Sequence, residues 1–219
     1  MSSPQLFAVT GCPVIHSKSP VLFNPVFSKN KINAKYSRIA VDSAEEAINV
    51  FKKIGLKGMN VTAPFKEDIP NFIDSVDKKV LKIGGVNTIV NENGLIKGYN
   101  TDYYGVSESV KNAGINIKGL KCLVIGAGGA GKAAAYGLVE NGASVTIANR
   151  TVEKAESAAN KFGCYYSGLE DIDNLVKDNE LIVFSLSQKV NPIKTESLTS
   201  KHIIFDANYK SSPFFEIAK

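Results

Sequence analysis

In the first half of the chain, short apolar runs alternate with segments whose apolar residues recur at helical spacing. "LFAV" (6–9), "YSRIAV" (36–41) and "GMNV" (58–61) read as strands; residues 20–30, 43–53 and 64–73 read as helices. This β-α-β-α order argues for a mainly parallel sheet covered by helices. "GVNTIV" (85–90) and "LIKGYN" (95–100) flank "NENG", where Asn93-Gly94 is a strong hairpin signal. A hairpin therefore closes the first unit.

A helix-like stretch over 103–113 follows, and "GINIKG" then punctuates the chain. Next comes "KCLVIGAGGAGKAAAYGLVENGASVTIANRT": a buried strand at 121–125, a glycine-rich turn, an Ala-rich helix and a second strand at 144–148. Strands at "LIVFSL" (181–186) and "HIIFDA" (202–207) complete an α/β half. No internal repeat or low-complexity segment interrupts the pattern. The expected division is 1–102 and 103–219.

Composition narrows the class without changing the fold. With 44% hydrophobic and 21% charged residues, the chain has the make-up of an ordinary globular protein. No apolar run approaches the ~20 residues needed to span a bilayer, and no leader precedes the first strand. A cytoplasmic address is expected. The 26 Lys and Arg against 21 Asp and Glu give +5, but the basic residues are dispersed. A small anionic ligand fits that distribution better than nucleic acid. Cys12, Cys122 and Cys164 are far apart and form no C-x-x-C pair, so they read as reduced, mostly buried thiols and not as metal ligands.

The glycine-rich turn carries the first chemistry. Gly126, Gly128 and Gly131 form G-x-G-x-x-G; a strand feeds the motif, a helix leaves it, and a second strand arrives some twenty residues later. The loop Gly126, Ala127, Gly128, Gly129, Ala130, Gly131 is thus expected to take a dinucleotide pyrophosphate at the helix N-terminus. After the second strand, an enzyme using NAD usually places Asp or Glu to hold the ribose 2′-hydroxyl. Here stand Asn149, Arg150 and Thr151. A guanidinium grips a 2′-phosphate and neutral side chains add hydrogen bonds, so NADP(H) is the expected cofactor. The plainer alternative makes Arg150 a solvated residue and Thr151 a helix N-cap.

The first half offers two further features. Ser17 and Ser19, in "SKSP", can hydrogen-bond an anion beside a helix start, although a serine before proline is commonly a cap. In "NVTAPFKE", Pro64 reads as a helix N1 residue, which puts Lys66 in the first turn, where the macrodipole disfavours a cation. A lysine misplaced for stability suggests a lysine kept for chemistry. Taken singly, Lys66 could be a surface residue, Asp102 a helix cap, Asn87 a turn residue and Tyr209 a partly buried aromatic. Neither His16 nor His202 stands in a pattern that argues for catalysis.

"GCPVIHSKSP", "NVTAPFKE", "GGVNT", "GYNTD", "VIGAGGAG", "NRT" and "FDANY" resemble, in order and spacing, the motifs of the shikimate dehydrogenase family from residue 7 onward. The resemblance implies an N-terminal α/β substrate domain and a C-terminal Rossmann-like NADP-binding domain. It implies NADP-dependent, reversible reduction of 3-dehydroshikimate to shikimate in aromatic amino-acid biosynthesis. Carried across residue by residue, Ser17 and Ser19 match the serines for the substrate carboxylate, and Thr62, Asn87 and Tyr209 match further substrate contacts. Lys66 and Asp102 match the catalytic pair. Asn149, Arg150 and Thr151 match the motif at the adenosine phosphate of NADP. The implied partner is this small substrate; apart from the resemblance, a homodimer mate is expected, and neither nucleic acid nor membrane.

Two departures from the family pattern stand out. The chain ends soon after Tyr209, before the G-x-x-M-L-x-x-Q segment that family members carry, so exposed apolar surface, oligomerisation or weakened activity is expected. "FSLSQ" (184–188) replaces the usual Asn-Ala-Thr after its strand. Rival readings are a dehydrogenase of quinate or a related acid, and an NADP-binding regulatory protein without turnover.

Overall fold

The computed structural model describes residues 3–186, 191–207, 212 and 214. The chain divides into two compact units, Met1–Thr101 and Asp102–Lys219.

The first unit contains β1 (Gln5–Gly11), α1 (Ser19–Lys29), β2 (Ala34–Ala40), α2 (Ala44–Lys53), β3 (Gly58–Val61), a 3-10 turn (Ile69–Phe72), β4 (Ser75–Val76), α3 (Lys78–Ile83), β5 (Thr88–Glu92) and β6 (Leu95–Tyr99). Its sheet runs β2-β1-β3-β5-β6-β4. β1 pairs in parallel with β2 and β3, whereas β5 lies antiparallel to both β3 and β6. The ends of β1, β3 and β6 and the beginning of β5 therefore meet at one edge of the sheet. At the opposite edge Asn93 and Gly94 turn the hairpin with φ of 55° and 95°, as their residue types require.

Helix α2 shows how sequence sets an element here. Ser43 caps it by accepting from the Glu46 N–H at 3.1 Å, and Glu46 returns a bond to the Asp42 N–H at 2.9 Å. Ala44, Ala47, Ile48 and Phe51 then face the core at helical spacing. Burying Ile48 and Phe51 contributes roughly 1.5–3 kcal/mol apiece.

The expected helix over 64–73 is absent. Residues 63–68 are turns, followed only by the 3-10 turn. Pro70 explains the difference: in an α-helix the Lys66 carbonyl would accept from residue 70, and proline has no N–H to give. That carbonyl instead accepts from the Val86 N–H at 2.8 Å. The macrodipole argument for Lys66 falls with the helix, but the chain has tied Lys66 to the segment before β5.

The second unit contains α4 (Asp102–Asn112), β7 (Lys121–Ile125), α5 (Gly129–Glu140), β8 (Ser144–Ala148), α6 (Val152–Phe162), β9 (Tyr165–Ser167), α7 (Ile172–Asp178), β10 (Leu181–Phe184), a 3-10 turn (Thr195–Ser197) and β11 (Ile203–Asp206). All neighbours in the sheet β11-β10-β7-β8-β9 are parallel. Leu123, Ile125, Ile182 and Phe184 pack beneath α7, with Val176 and Phe214 in the same cluster. β10 ends two residues earlier than expected, and just past it the Ser185 N–H and hydroxyl both donate to the Ile125 carbonyl, at 3.0 and 2.8 Å.

Cys122 is buried and Cys164 half-buried, but Cys12 is exposed, which corrects the expectation for that thiol; all three are unpaired. Burial pushes Cys122 up to about 12 and Cys164 to about 11. Among the described residues, no helix is long and apolar enough to cross a membrane, and no group of three His, Cys, Asp or Glu could hold a metal ion.

Candidate active site

The shared edge of the first sheet gathers most of the residues singled out above. Ser17 and Ser19 lie on the loop and helix start after β1, where the Ser17 hydroxyl donates to Ser19 Oγ at 3.1 Å. Arg38 on β2 fixes this loop by donating from Nε to the Ser17 carbonyl at 2.9 Å. The loop after β3 is bonded alongside: the Thr62 N–H donates to the Thr10 carbonyl at 2.9 Å and the Cys12 N–H to the Ala63 carbonyl at 3.2 Å. This closeness requires Gly11, since a Cβ there would lie 2.4 Å from Thr62 Cγ2.

Lys66 is half-buried on this second loop. Its carbonyl bond to Val86 places it one residue from Asn87, which is 6% exposed and oriented by several bonds. Asn87 Oδ1 accepts from the Thr101 N–H and from the Thr88 hydroxyl, each at 2.9 Å, while its amide donates to Thr101 Oγ1 at 2.9 Å. Asn100 supports the same segment by donating to the Gly85 carbonyl at 2.8 Å. The structure thus brings Ser17, Ser19, Thr62, Lys66 and Asn87 to one sheet edge. A buried amide with both ends occupied is a rigid group, suited to reading a hydroxyl.

Sequence reasoning missed Arg38 and Asn100. Their roles arise from strand pairing and loop return, and no local pattern announces them.

In the second unit, Asp102 is the half-buried first residue of α4. Tyr209 lies outside the described residues. The glycine loop has the geometry its spacing implies. Gly126 turns with φ of 109°, and a Cβ on Gly131 would lie 1.8 Å from the Gly126 carbonyl oxygen, so helix and strand approach as only glycine allows. A Cβ on Gly128 would meet nothing within 4 Å. Gly128 is also the N-cap of α5 and, having no side chain, makes no side-chain cap bond there. The N–H groups of a helix's first turn have no partner within the helix, so open space at Gly128 leaves them room for an anionic group. Gly129 and Ala130 form the first turn of α5, and the buried Ala127 lies between the two turns.

Asn149 does something the sequence did not announce. Its Oδ1 accepts from the Ala127 N–H at 3.1 Å and its amide donates to the Thr151 carbonyl at 2.9 Å. The amide is therefore a brace between the glycine loop and the loop after β8. Arg150 and Thr151 are exposed, and Thr151 opens α6 without a side-chain cap. Leu186 and Ser185 border the loop near Gly126, where the family pattern has Asn-Ala-Thr; Ser187 and Gln188 lie outside the described residues.

Comparison with known proteins agrees with both halves. Residues 9–89 match the family described as the shikimate dehydrogenase substrate binding domain, and residues 108–218 match shikimate / quinate 5-dehydrogenase. A shikimate dehydrogenase (NADP(+)) of Caldanaerobacter subterraneus subsp. tengcongensis is 37% identical over 217 residues, spanning 95% of this chain and 77% of the relative. The crystal structure of shikimate dehydrogenase from Aquifex aeolicus superposes with a TM-score of 0.88 at 36% identity, covering 94% of this chain and 80% of that one. The Thermus thermophilus enzyme in complex with NADP(H) and shikimate gives 0.82 at 32% identity, covering 92% and 78%.

Proposed function

The chain belongs to the shikimate dehydrogenase family, and on that premise we propose how its residues carry the reaction. The reaction is the NADP-dependent, reversible reduction of 3-dehydroshikimate to shikimate, a step of aromatic amino-acid biosynthesis. The observation that carries the assignment of residues is the gathering of Ser17, Ser19, Thr62, Lys66 and Asn87 at one edge of one sheet.

The serine hydroxyls hold the substrate carboxylate, and Thr62, Asn87 and Tyr209 take ring hydroxyls. Bound NADPH supplies the hydride. As the carbonyl carbon receives it, the C=O π bond breaks toward oxygen, and the Lys66 ammonium gives that oxygen a proton. Asp102 is the second member of the acid-base pair and helps restore the lysine's proton from solvent. Asp102 directly follows Thr101, whose backbone N–H is bonded to Asn87, so the acid is joined to the substrate-binding segment by one peptide.

Residues 1–102 serve as the substrate-binding and catalytic part and 103–219 as the NADP-binding part. The cradle at Gly126, Ala127, Gly128, Gly129, Ala130 and Gly131 receives the pyrophosphate, and Arg150 and Thr151 receive the 2′-phosphate. A cytoplasmic address and a homodimer complete the proposal. The homodimer is supported by the outer face of α1, where Val21 and Leu22 are 68% and 66% exposed.

The deciding experiment follows nicotinamide absorbance as the protein reduces NADP with shikimate, with quinate and NAD as parallel arms. NADPH formation with shikimate is expected, and its absence while NADPH still binds would overturn the assignment of a complete site.

A further inference from the structure

We propose that the Tyr36 hydroxyl is a positioning residue that ties the carboxylate end of the substrate site to its hydroxyl-reading end. This inference rests on the roles of Ser19 and Asn87 given above.

Tyr36 is on β2, 7% exposed, and its phenol donates to Asn60 Oδ1 on β3 at 2.5 Å. β1 lies between those strands, so the backbones are roughly 10 Å apart, and only a long side chain with a polar tip can join them. Ser19 hydrogen-bonds the same phenol oxygen. Beyond Asn60, the amide donates to Thr88 Oγ1 at 3.0 Å and the Thr88 hydroxyl donates to Asn87 Oδ1 at 2.9 Å. From Ser17 to Ser19, Tyr36, Asn60, Thr88 and Asn87, the hydrogen bonds run in one sense, each group donating to the next.

Tyr36 is also held from behind. Its ring stacks on Phe23 at 4.6 Å with planes 6° apart. Asn24 clamps its backbone with two bonds, donating to the Tyr36 carbonyl and accepting from its N–H, both at 2.9 Å. Neither ring nor backbone can follow a drifting serine, so the hydroxyl is a fixed post. When Ser19 turns its proton to the substrate carboxylate, the Tyr36 oxygen loses the bond it accepted from Ser19, which alters its own bond to Asn60 Oδ1. Capture of the carboxylate is then felt at Asn60 and, through Thr88, at Asn87.

The test is Tyr36→Phe in the full chain, which keeps the ring and removes only the hydroxyl. Expected is a rise of roughly three- to tenfold in KM for shikimate, with kcat and the KM for NADP within about twofold. With shikimate methyl ester, which offers Ser19 no charged oxygen, the penalty should shrink to near unity. An unchanged KM for shikimate, or an equal rise for acid and ester, would overturn the proposal. Should Tyr36→Phe fail to fold, Thr88→Val breaks the same chain further along and is judged by the same two criteria. No shikimate oxidation by the unaltered protein would instead remove the assignment of function, and this inference with it.

Discussion

Two glycines of one motif should respond to alanine in opposite ways. At Gly131 the added Cβ would sit 1.8 Å from the Gly126 oxygen, and real contacts do not fall below 3.0 Å, so α5 must move off β7 by at least about 1.2 Å. Overpacking of this kind costs about 1–3 kcal/mol or more, and the ~1 kcal/mol gain in helix propensity offsets only part of it. The melting temperature should fall by several degrees, roughly 2–8 °C. At Gly128 the backbone has φ of −80°, ordinary for any residue, and the Cβ would point into open space. Stability should stay within about 1 kcal/mol of the parent. The methyl would occupy the pyrophosphate cradle, and losing one charge-assisted bond of about 1.5–3 kcal/mol would weaken NADPH roughly 10- to 100-fold. Thermal unfolding by circular dichroism and titration of NADPH fluorescence read the two effects separately. A Gly128→Ala protein that binds NADPH normally, or a Gly131→Ala protein with an unchanged melt, would refute the reasoning.

Lys66→Ala should lower kcat by at least about a hundredfold with NADPH affinity nearly intact, as stopped-flow turnover and a binding titration would show; unchanged turnover would remove Lys66 from the chemistry. Arg150→Ala should weaken NADP selectively, whereas Asn149→Ala, which releases the brace between two cofactor loops, should weaken NADP and NAD alike; measured KM values for both nucleotides decide. Burial, opposed by hydrogen bonds from the Ser19 side chain and the Asn60 backbone, holds Tyr36 up to about 12 against an ordinary 10.0. The stability this gives is complete below the unfolded value and is lost as pH rises through the folded one. Tyr36→Phe should accordingly show a shallower loss of stability between pH 10 and 12 than the parent in denaturant titrations.

The elements set by local rules were legible in the sequence. Asn93-Gly94 named its own hairpin, and the glycine spacing named the β7–α5 turn with its close approach. Helix α6 went unread, although Ala155, Ala158, Ala159 and Phe162 recur at helical spacing and are all buried. The segment after Pro64 was misleading because a proline at N1 favours a helix while Pro70, six residues on, forbids the bond that would extend it. Lys66 was thus singled out by a helix that does not form; what places it is the Val86 N–H, a donor with no sequence signature. Tyr36 was likewise hidden, for its partner Asn60 is reached across an intervening strand. Asn149 was visible as a residue of the motif, but its engagement with Ala127 depends on the register of β7 and β8.

The antiparallel placement of β5 also has a use in protein engineering. Because β5 starts at the active edge and runs away from it, its hairpin at Asn93-Gly94 lies roughly 14 Å from Thr88 along the strand. Both turn residues are exposed, and a Cβ at Gly94 would meet nothing within 4 Å. A fluorophore or affinity peptide grafted into that turn would report on the substrate half without standing in the way of substrate.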